Sequence, residues 1–386
     1  MTVDSQTLAV ARLRDWAVQQ AFPLWAGPGF DHEHGRFEER LSLRGTRIAD
    51  VPIRLLVQAR QIYAYGLASE RDWYSDGQAL IEQAYASMIR DFYRRDSKGG
   101  WVFTIFPNGA VADLRRDLYT HAFVLLAIAS YIKATGKTEA LSLADETLSY
   151  IDGQMRAAAG GGYLDSLPAL DGLRRQNPHM HMFEGLLSLW SSSRQPRYLA
   201  RAGEMFGLFT SRFFDSNYGT LGEYYNAKLE PAEGIVGTIV EPGHHYEWIW
   251  LLRWFERESG RTVQPYVDAL FAHADAYGYD ASGLIVDELL ADGSPRTRSH
   301  RVWPITEAIK ANVTEAALGR ANCAIKAATL TELLLDRFLT SATAGGWIDR
   351  LDEKGATATD FMPASTLYHI VCALDELSRF TFGKFA

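Results

Sequence analysis

Six short segments, each a glycine followed by aromatic or aliphatic residues, recur along the 386-residue chain at nearly constant spacing. Their first residues are Gly35, Gly100, Gly162, Gly219, Gly283 and Gly346, and successive segments lie 57 to 65 residues apart. The stretches between them carry apolar residues at intervals of three and four, as at Leu55, Ala59 and Ile62, which is typical of helices. A period of about sixty residues, with two helices and one hairpin in each unit, constrains the fold more than any other feature.

Each such unit is too small to bury its own apolar faces, whereas six units can close into an inner and an outer ring of helices. The sequence therefore predicts an all-α fold, an (α/α)6 toroid with short β-hairpins in the loops at one end. No linker rich in proline, glycine or serine interrupts the chain, so we expect a single domain over residues 1–386.

Charge and motif content narrow the classes of function. The formal net charge is -8 and no long basic run is present, which disfavours binding to nucleic acid. The patterns GxGxxG, GxxxxGK[ST], HExxH and GxSxG are absent, which disfavours nucleotide binding and zincin hydrolysis. We therefore expect a small polar ligand and no cofactor.

The sequence also predicts a compartment. Cys323 and Cys372 lie in apolar surroundings without the spacing of a zinc site, and are expected to be buried thiols in a reducing compartment. The first 27 residues carry charged side chains where a signal peptide would need an apolar stretch. The longest apolar run, residues 122–132, is too short to span a bilayer. We expect a cytoplasmic protein without membrane contact, either a monomer or a homodimer.

The densest polar cluster is Glu241-Pro242-Gly243-His244-His245-Tyr246-Glu247-Trp248, which leads into an apolar helix. The helix is expected to begin near His244, where the positive end of its dipole favours a neutral imidazole that can accept a proton. Glu247 lies three residues later on the same helix face, where its carboxylate is expected to orient the ring. A lone histidine is more often structural, but this combination makes His244 a candidate acid or base.

A second polar cluster is Asn177-Pro178-His179-Met180-His181-Met182-Phe183-Glu184. Asn177 is a good helix cap, and Pro178 is a good first helical residue. His181 and Glu184 are three residues apart, as are His244 and Glu247, and a di-metal carboxylate site uses this spacing. Such a site needs further carboxylates on partner helices, and histidine-carboxylate pairs without metal are common, so we expect no metal.

Four other residues are weaker candidates. His369 precedes an apolar helix over residues 370–377, although its position alone favours a histidine facing solvent. Arg54 is expected to begin a helix, where it could hold sugar hydroxyls or an enediolate oxygen, but such arginines more often form structural salt bridges. Tyr119 and Trp303 could offer hydrogen bonding and a stacking face to a sugar, although aromatic residues at these spacings are usually core.

These clusters together resemble the N-acylglucosamine 2-epimerase superfamily, which includes mannose isomerases, sulfoquinovose isomerases and cellobiose 2-epimerases. The resemblance covers nearly the whole chain. It rests on Arg54 with Gln58-Ala59-Arg60, Leu118-Tyr119-Thr120-His121-Ala122-Phe123, Asn177-Pro178-His179-Met180-His181, Pro242-Gly243-His244 with Glu247-Trp248, Trp303-Pro304 with Glu307, and Tyr368-His369.

The resemblance implies an (α/α)6 barrel and proton transfer beside a sugar carbonyl through a cis-enediol, usually without metal. It implies that His244 and His369 are the acid/base pair. It further implies a substrate-holding shell of Arg54, Tyr119, Asn177 and His181, with Glu247 as the orienting carboxylate and Trp303 as the stacking ring.

Residues 362–369 and 240–243 look most like the mannose isomerase branch, so the expected reaction is aldose-ketose isomerisation of D-mannose and D-fructose. The pair Trp303-Pro304 replaces two adjacent tryptophans of disaccharide epimerases, which argues against a second sugar subsite. The alternatives are a 2-epimerase of N-acylglucosamine or a related sugar, and a carbohydrate- or protein-binding module without catalysis. A mannose-6-phosphate isomerase-like enzyme is a further alternative, because Arg296, Arg298 and Arg301 are expected near the pocket mouth.

Overall fold

The computed structural model of the chain describes residues 3–383. Its α-helices are α1 (Val3–Trp16), α2 (Phe22–Ala26), α3 (Leu55–Glu70), α4 (Gly77–Phe92), α5 (Leu118–Thr135), α6 (Leu141–Tyr150), α7 (Gln176–Ser193), α8 (Pro196–Leu208), α9 (Pro242–Ser259), α10 (Gln264–Tyr277), α11 (Val302–Ala317), α12 (Cys323–Leu333) and α13 (Leu367–Phe382). π-Helical turns follow four of them, at Ala17–Ala21, Ile151–Met155, Phe209–Phe213 and Leu334–Phe338. Short 3-10 turns lie at Thr138–Ala140, Gly234–Thr238 and Ala364–Thr366.

The helices form two concentric rings. The inner ring runs α3, α5, α7, α9, α11 and α13, each in contact with the next, and α13 returns to contact α3. The outer ring consists of α1, α4, α6, α8, α10 and α12, each packed against an inner neighbour. The fold is therefore the (α/α)6 toroid that the sequence predicts.

Short strands lie in the loops at one end of the toroid. They are β1 (Phe30–Asp31), β2 (Arg36–Phe37), β3 (Arg40–Ser42), β4 (Ile53–Arg54), β5 (Thr104–Ile105), β6 (Val111–Asp113), β7 (Arg116–Asp117), β8 (Ser166–Leu167), β9 (Arg174–Arg175), β10 (Phe214–Asp215), β11 (Thr220–Leu221), β12 (Tyr224–Tyr225), β13 (Ile239–Val240), β14 (Glu288–Leu290), β15 (Pro295–Thr297), β16 (His300–Arg301), β17 (Arg350–Leu351) and β18 (Phe361–Pro363).

Six antiparallel ladders link each repeat to the next. The strand that precedes each inner helix pairs with a strand of the following repeat, in the pairs β4–β5, β7–β8, β9–β12, β13–β14, β16–β17 and β18–β3. The last ladder, with Pro363 opposite Arg40, joins the sixth repeat to the first. This end of the toroid is therefore closed by backbone hydrogen bonds as well as by helix packing.

Inner and outer helices differ in how much of their surface is apolar. By length and composition, α5 could cross a membrane, but it is an inner helix packed against α3 and α7, and 78% of it is buried. The outer helix α8 buries a single stripe, formed by Tyr198, Ala202, Met205 and Phe206. A helix with neighbours on all sides is apolar all round, whereas an outer helix needs only one apolar face.

The fourth residue of four inner helices anchors the hairpin of its own repeat. His121 donates from Nδ1 to the Asp117 carbonyl at 2.7 Å and accepts the Trp101 amide at Nε2, at 3.3 Å. His179 makes the same two bonds, and its Nε2 accepts the amide of Tyr163. Gln58 and His245 occupy the equivalent positions in α3 and α9 and bond the equivalent strand residues, Phe37 and Leu221.

The repeated glycines are turn residues. In five of the six segments the first glycine has a positive φ, between +64° and +82°. In the sixth segment Gly345 (φ 78°) takes this place instead of Gly346. Because side chains disfavour that conformation, glycine recurs where each outer helix turns back toward the ring.

Candidate active site

The first two turns of the inner helices bring together a cluster of buried polar side chains at the strand-bearing end, called the pocket below. The third residues of α9 and α13 are His244 and His369. The sixth residues of α3, α7, α9 and α11 are Arg60, His181, Glu247 and Glu307. Donor atoms from three different helices approach within 4.8 Å of one another there, so these positions face the axis of the toroid. The pocket collects residues that are far apart in sequence.

His244 is oriented by Glu223, not by Glu247 as the sequence suggested. Its Nδ1–H donates to Glu223 Oε1 at 2.9 Å, and Glu241 Oε2 lies 3.9 Å from the same nitrogen. Burial opposes the charged ring, but the two carboxylates outweigh burial and raise the pKa of His244 to about 9. The ring is therefore protonated at neutral pH, and the expectation of a neutral imidazole is wrong because nearby full charges outweigh a helix dipole.

Glu223 is itself held in place by two further side chains. Gln176, the first residue of α7, donates from Nε2 to Glu223 Oε2 at 3.0 Å. The indole N–H of Trp248 donates to Gln176 Oε1 at 2.8 Å, which fixes the orientation of that amide. The ring of His244 is thus positioned by a hydrogen-bonded chain that spans α7, α9 and the hairpin between them.

His369 has the opposite electrostatic setting. It is the third residue of α13, which begins earlier than the sequence suggested, and it is buried rather than facing solvent. Its Nδ1–H donates to Glu307 Oε1 at 2.8 Å. Burial and the positive charges of Arg60 and Lys310 hold the pKa of His369 well below its usual range. The ring is therefore neutral, with Nε2 free to accept a proton.

His181 forms the pair with Glu184 that the sequence predicts. Its Nδ1–H donates to Glu184 Oε2 at 2.9 Å, and the other oxygen of Glu184 accepts the Tyr368 hydroxyl. Burial lowers the pKa of His181 to about 4, so the ring is neutral. Its Nε2 lies 3.9 Å from Glu247 Oε1, a buried oxygen without a hydrogen-bond partner in the described chain.

Glu247 therefore faces His181 rather than orienting His244. Burial and the neighbouring Glu307 carboxylate raise the pKa of Glu247 well above its usual value. A protonated carboxyl can donate as well as accept a hydrogen bond, so Glu247 offers either contact to a ligand hydroxyl.

Trp303 contacts both candidate acid/base residues. The centroid of its ring lies 4.9 Å from that of His244 and 5.9 Å from that of His369. A Cβ added at Gly243 would approach the Trp303 ring to 2.5 Å, so glycine at that position lets the indole pack closely against α9. Trp303 is half-buried, which leaves part of its ring available for stacking.

Arg60 lies inside the pocket, whereas Arg54 lies at its rim, near Tyr119. Arg54 immediately precedes α3, donates from Nε to Glu39 Oε1 at 2.6 Å, and keeps 35% of its side chain exposed. Arg60 is 6% exposed and donates from Nη2 to the Tyr119 hydroxyl at 2.7 Å. In the described chain no carboxylate lies within 4.0 Å of Arg60, so its charge is available to an anionic or polarised ligand oxygen.

Tyr119 and Asn177 are the second residues of α5 and α7, and both are half-buried at the pocket. Tyr119 packs edge-on against the ring of His181, with centroids 4.9 Å apart. Asn177 is not the helix cap that the sequence suggested, because α7 already begins at Gln176 and Arg175 takes the cap position. Its buried Oδ1 has no hydrogen-bond partner among residues 3–383, so it can accept a ligand hydroxyl.

Three groups of side chains could hold a metal ion by their composition. They are His181, Glu184 and Glu247; Glu223, Glu241 and His244; and Glu247, Glu307 and His369. In each group the histidine already donates Nδ1–H to a carboxylate, and Glu307 is paired with the ammonium of Lys310. Metal independence stays a prediction.

A large cavity also lies at the opposite end of the toroid, with a volume of about 1270 Å³. The C-terminal halves of the inner helices line it, with residues such as Lys133, Trp254 and Glu376. His181, His244 and His369 are not among its lining residues. The candidate proton chemistry therefore belongs to the strand-bearing end.

Glu223, Lys310 and the pocket role of Arg60 were not predicted from the sequence. A periodic signal was present for Glu223. Five repeats carry an acidic residue two positions after the hairpin's apolar residue, at Glu39, Asp165, Glu223, Asp287 and Asp349. Three of these hold the arginine that precedes an inner helix, whereas Glu223 holds a histidine.

Comparisons with known proteins agree with this architecture. The chain is 32% identical over 380 residues to a mannose-6-phosphate isomerase of Rhizobium meliloti (strain 1021), covering 96% of this chain and 97% of that protein. It is 27% identical over 259 residues to a D-mannose isomerase of Pseudomonas cannabina pv. alisalensis, covering 60% and 61% of the two chains. A solved D-mannose isomerase structure superposes with a TM-score of 0.84 at 21% identity, covering 95% of this chain and 97% of that one.

The family model described as N-acylglucosamine 2-epimerase (GlcNAc 2-epimerase) matches residues 35–373, which include every candidate site residue. Relatives in this family are carbohydrate isomerases and epimerases by name. The chain belongs to the N-acylglucosamine 2-epimerase family and is a carbohydrate isomerase or epimerase.

Proposed function

We propose that this protein interconverts an aldose and a ketose, with D-mannose and D-fructose as the first candidate pair, through a cis-enediol. The observation that carries this proposal is the pair of buried histidines beside Trp303. One of them, His244, is kept protonated by carboxylates, and the other, His369, is kept neutral. An enolisation needs an acid and a base at the same time, which this pair supplies at neutral pH.

In the proposed reaction, Nε2 of His369 removes the proton from C2 of the open-chain aldose, while His244 protonates O1. Arg60, which lacks a carboxylate partner within 4.0 Å in the described chain, stabilises the charge that develops on the enediolate oxygen. His369 then returns a proton to C1 while the now neutral His244 accepts the proton of O2, which yields the ketose and restores both rings without gain or loss of atoms.

The alternative is 2-epimerisation, in which the proton returns to C2 from the opposite face of the enediol. Two histidines on different helices permit either outcome. The resemblance of residues 362–369 to the mannose isomerase branch favours isomerisation. The experiment is to incubate the protein with D-mannose in heavy water and follow the products by NMR.

Fructose labelled at C1 as the first product supports isomerisation. Glucose labelled at C2 that appears before any fructose contradicts it and supports the epimerase. N-acetylglucosamine, tested in the same way, addresses the activity for which the family is named. Binding of sugar without any exchange of C–H protons would favour a binding module instead.

A phosphorylated substrate is a second candidate, favoured by the mannose-6-phosphate isomerase that is 32% identical to this chain. Arg296 and Arg301, expected to serve such a substrate, are paired with Glu288 and with Asp287 and Glu241. Arg40 on β3 is different: its guanidinium stacks on Phe361 at 4.3 Å, and no carboxylate of the described chain lies within 4.0 Å.

An unpaired arginine fork fits a phosphate group. If phosphosugars are the substrates, Arg40→Gln lowers kcat/KM for D-mannose 6-phosphate by about ten-fold or more and leaves that for D-mannose unchanged. Arg44→Gln, in the turn after β3, is the matched control. Equal rates on both sugars in the wild type would leave free D-mannose as the better assignment.

We expect turnover without an added metal ion, since the proton acceptors are histidines that already pair with carboxylates. Dialysis against a strong chelator, followed by a rate measurement, should leave kcat unchanged. A lost rate that one divalent ion restores would instead assign one of the three His/Glu groups to that ion.

A further inference from the structure

A buried lysine lies next to the proposed base. Lys310 follows Glu307 by one helical turn on α11, and its side chain is fully buried. Its ammonium lies 2.5 Å from Glu307 Oε2 and 3.8 Å from the centroid of the Trp250 ring, and its contact with Glu307 is an ion pair without the geometry of a hydrogen bond. No other carboxylate of residues 3–383 lies within 4.0 Å of it.

The surroundings of Lys310 come from four inner helices. Glu307 belongs to α11, Glu247 and Trp250 to α9, Glu184 to α7, and Cys372 to α13. Burial alone disfavours the ammonium, but Glu307 first, and then Cys372, Glu247 and Glu184, outweigh burial and raise the pKa of Lys310. The lysine is therefore the cation that balances a buried group of acids.

Glu307 connects this ammonium to His369. One carboxylate oxygen pairs with Lys310, and the other accepts Nδ1–H of the imidazole at 2.8 Å. Burial raises the pKa of Glu307, whereas the ammonium beside it favours the ionised form. A carboxylate at Nδ1 places the ring proton on that atom and leaves Nε2 as the free acceptor.

Other charged or titratable groups also face His369. They are Arg60 on α3, His181 and Glu184 on α7, Glu247 on α9, and Glu307 and Lys310 on α11. Of these, Lys310 alone contacts the carboxylate that holds Nδ1. It therefore acts on the base through Glu307 and through its own charge.

We propose that Lys310 is a positioning residue for the proposed isomerisation: it clamps Glu307, and Glu307 in turn fixes the ring of His369 with Nε2 free to accept the substrate proton. Without the ammonium, Glu307 Oε2 is a buried oxygen that has lost its ion-pair partner and has no hydrogen-bond partner among residues 3–383. The carboxyl then takes up a proton and can donate to Nδ1, which moves the imidazole proton to Nε2 and removes the base.

The experiment compares wild type with Lys310→Met, a neutral residue of similar length, and uses Lys326→Met on the outer helix α12 as the matched control. The first readout does not depend on activity. Nitrogen-15 NMR of labelled histidine side chains reports the tautomer of each ring, and the His369 signals are identified by their loss in His369→Asn.

The wild type and Lys326→Met should show His369 protonated on Nδ1. Lys310→Met should show a protonated Nε2 and a kcat lowered by about 100-fold, since a general base typically contributes that much or more. Glu307→Gln should resemble Lys310→Met, and the double variant should lose no more than the worse single variant, because both act through one link.

An unchanged His369 tautomer in folded Lys310→Met would overturn the proposal. Losses that multiply in the double variant would also overturn it, since they would show two independent effects. If Lys310→Met does not fold, Glu307→Gln and Glu307→Ala test whether Glu307 fixes the tautomer of His369. Unchanged Nδ1 protonation of His369 in both variants would contradict the proposal. An unaltered wild type that isomerises no sugar contradicts the proposed function alone, because the NMR readout is independent of turnover.

Discussion

At the residue scale, the position of a histidine within its helix separates two kinds of environment. His244 and His369 are third residues of inner helices and donate to carboxylates at the pocket. His121 and His179 are fourth residues and bond backbone groups of their own repeats. Successive residues of a helix are rotated by about 100° around its axis. The third residue therefore faces the pocket, whereas the fourth faces the hairpin of its own repeat.

Substitution of each kind of histidine should therefore have a different consequence. His244→Ala and His369→Ala should each lower kcat by about a hundred- to ten-thousandfold while the protein stays folded. His179→Ala should instead lower stability by about 2 kcal/mol, because it leaves two buried backbone groups unpaired, with a milder effect on kcat. Steady-state kinetics and thermal unfolding distinguish the two outcomes. Equal losses of kcat in His179→Ala and His181→Ala would contradict the assignment of His181 to the pocket and of His179 to the hairpin.

The carboxylates around His244 should set the alkaline limit of activity. The pKa of His244 is raised to about 9, so the protonated acid is present at neutral pH and lost as pH rises through that value. In Glu223→Gln one carboxylate is removed, and the decline of kcat/KM should begin at a lower pH. A pH–rate profile measures this shift, with Glu230→Gln as the control for an exposed glutamate. If the decline of kcat/KM at alkaline pH is unchanged in Glu223→Gln, a group other than His244 sets the alkaline limit.

At the element scale, each repeat is held together by the contact between its hairpin and the first turn of its inner helix. Gly162 (φ 64°) shows how tight this contact is, because a Cβ there would approach His179 Nε2 to 2.7 Å. Gly153 lies in the π-helical turn that follows α6, and a Cβ at that position would have nothing within 4 Å. An added methyl group should therefore destabilise the fold at Gly162 but not at Gly153.

Gly162→Ala should destabilise the protein by about 1–3 kcal/mol through backbone strain and the displaced histidine. Gly153→Ala should be neutral or slightly stabilising, since alanine favours the helical backbone there. Denaturant unfolding of both variants measures the difference. Equal stabilities would mean that the hairpin can move away from His179 at little cost.

At the scale of the whole molecule, buried histidines make stability depend on pH. Burial lowers the pKa of His121, His179 and His181 from 6.5 to about 4, and carboxylates raise that of His244 from 6.5 to about 9. Each of these pKa shifts changes the free energy of unfolding, across its pH range, by an amount on the order of 3 kcal/mol.

The two signs of shift act on opposite sides of pH 6.5, the ordinary pKa of histidine. As pH falls from 6.5 to 4, His121, His179 and His181 bind protons in the unfolded state but stay neutral in the folded state, so stability falls. As pH rises from 6.5 to 9, His244 loses in the folded state the proton that the carboxylates favour, so stability also falls. The contribution of these four histidines to the unfolding temperature should therefore be highest near pH 6.5. His179→Gln should lose less stability between pH 6.5 and 4 than wild type, and an equal loss would assign the effect to other groups.

The sequence by itself determined the toroid, because a repeat of about sixty residues can bury its apolar faces only against further copies of itself. It also determined local pairs such as His181 with Glu184, since residues three apart on a helix are neighbours. The position of His244 in the first turn of its helix was also predicted from the sequence, whereas His369 was expected to precede its helix and lies within the first turn. One domain over residues 1–386 stays a prediction.

Only the tertiary structure decided which groups meet across the ring. Glu223 orients His244 from a hairpin 21 residues earlier, and Glu307 orients His369 from the neighbouring helix. Arg60 enters the pocket while Arg54 pairs with Glu39, because the sixth residue of α3 faces the axis and the residue before the helix lies at the rim. The protonation states of His244 and His369 depend on these contacts. A pKa shift is set by burial and by the distance to charged groups, which a linear sequence pattern does not specify.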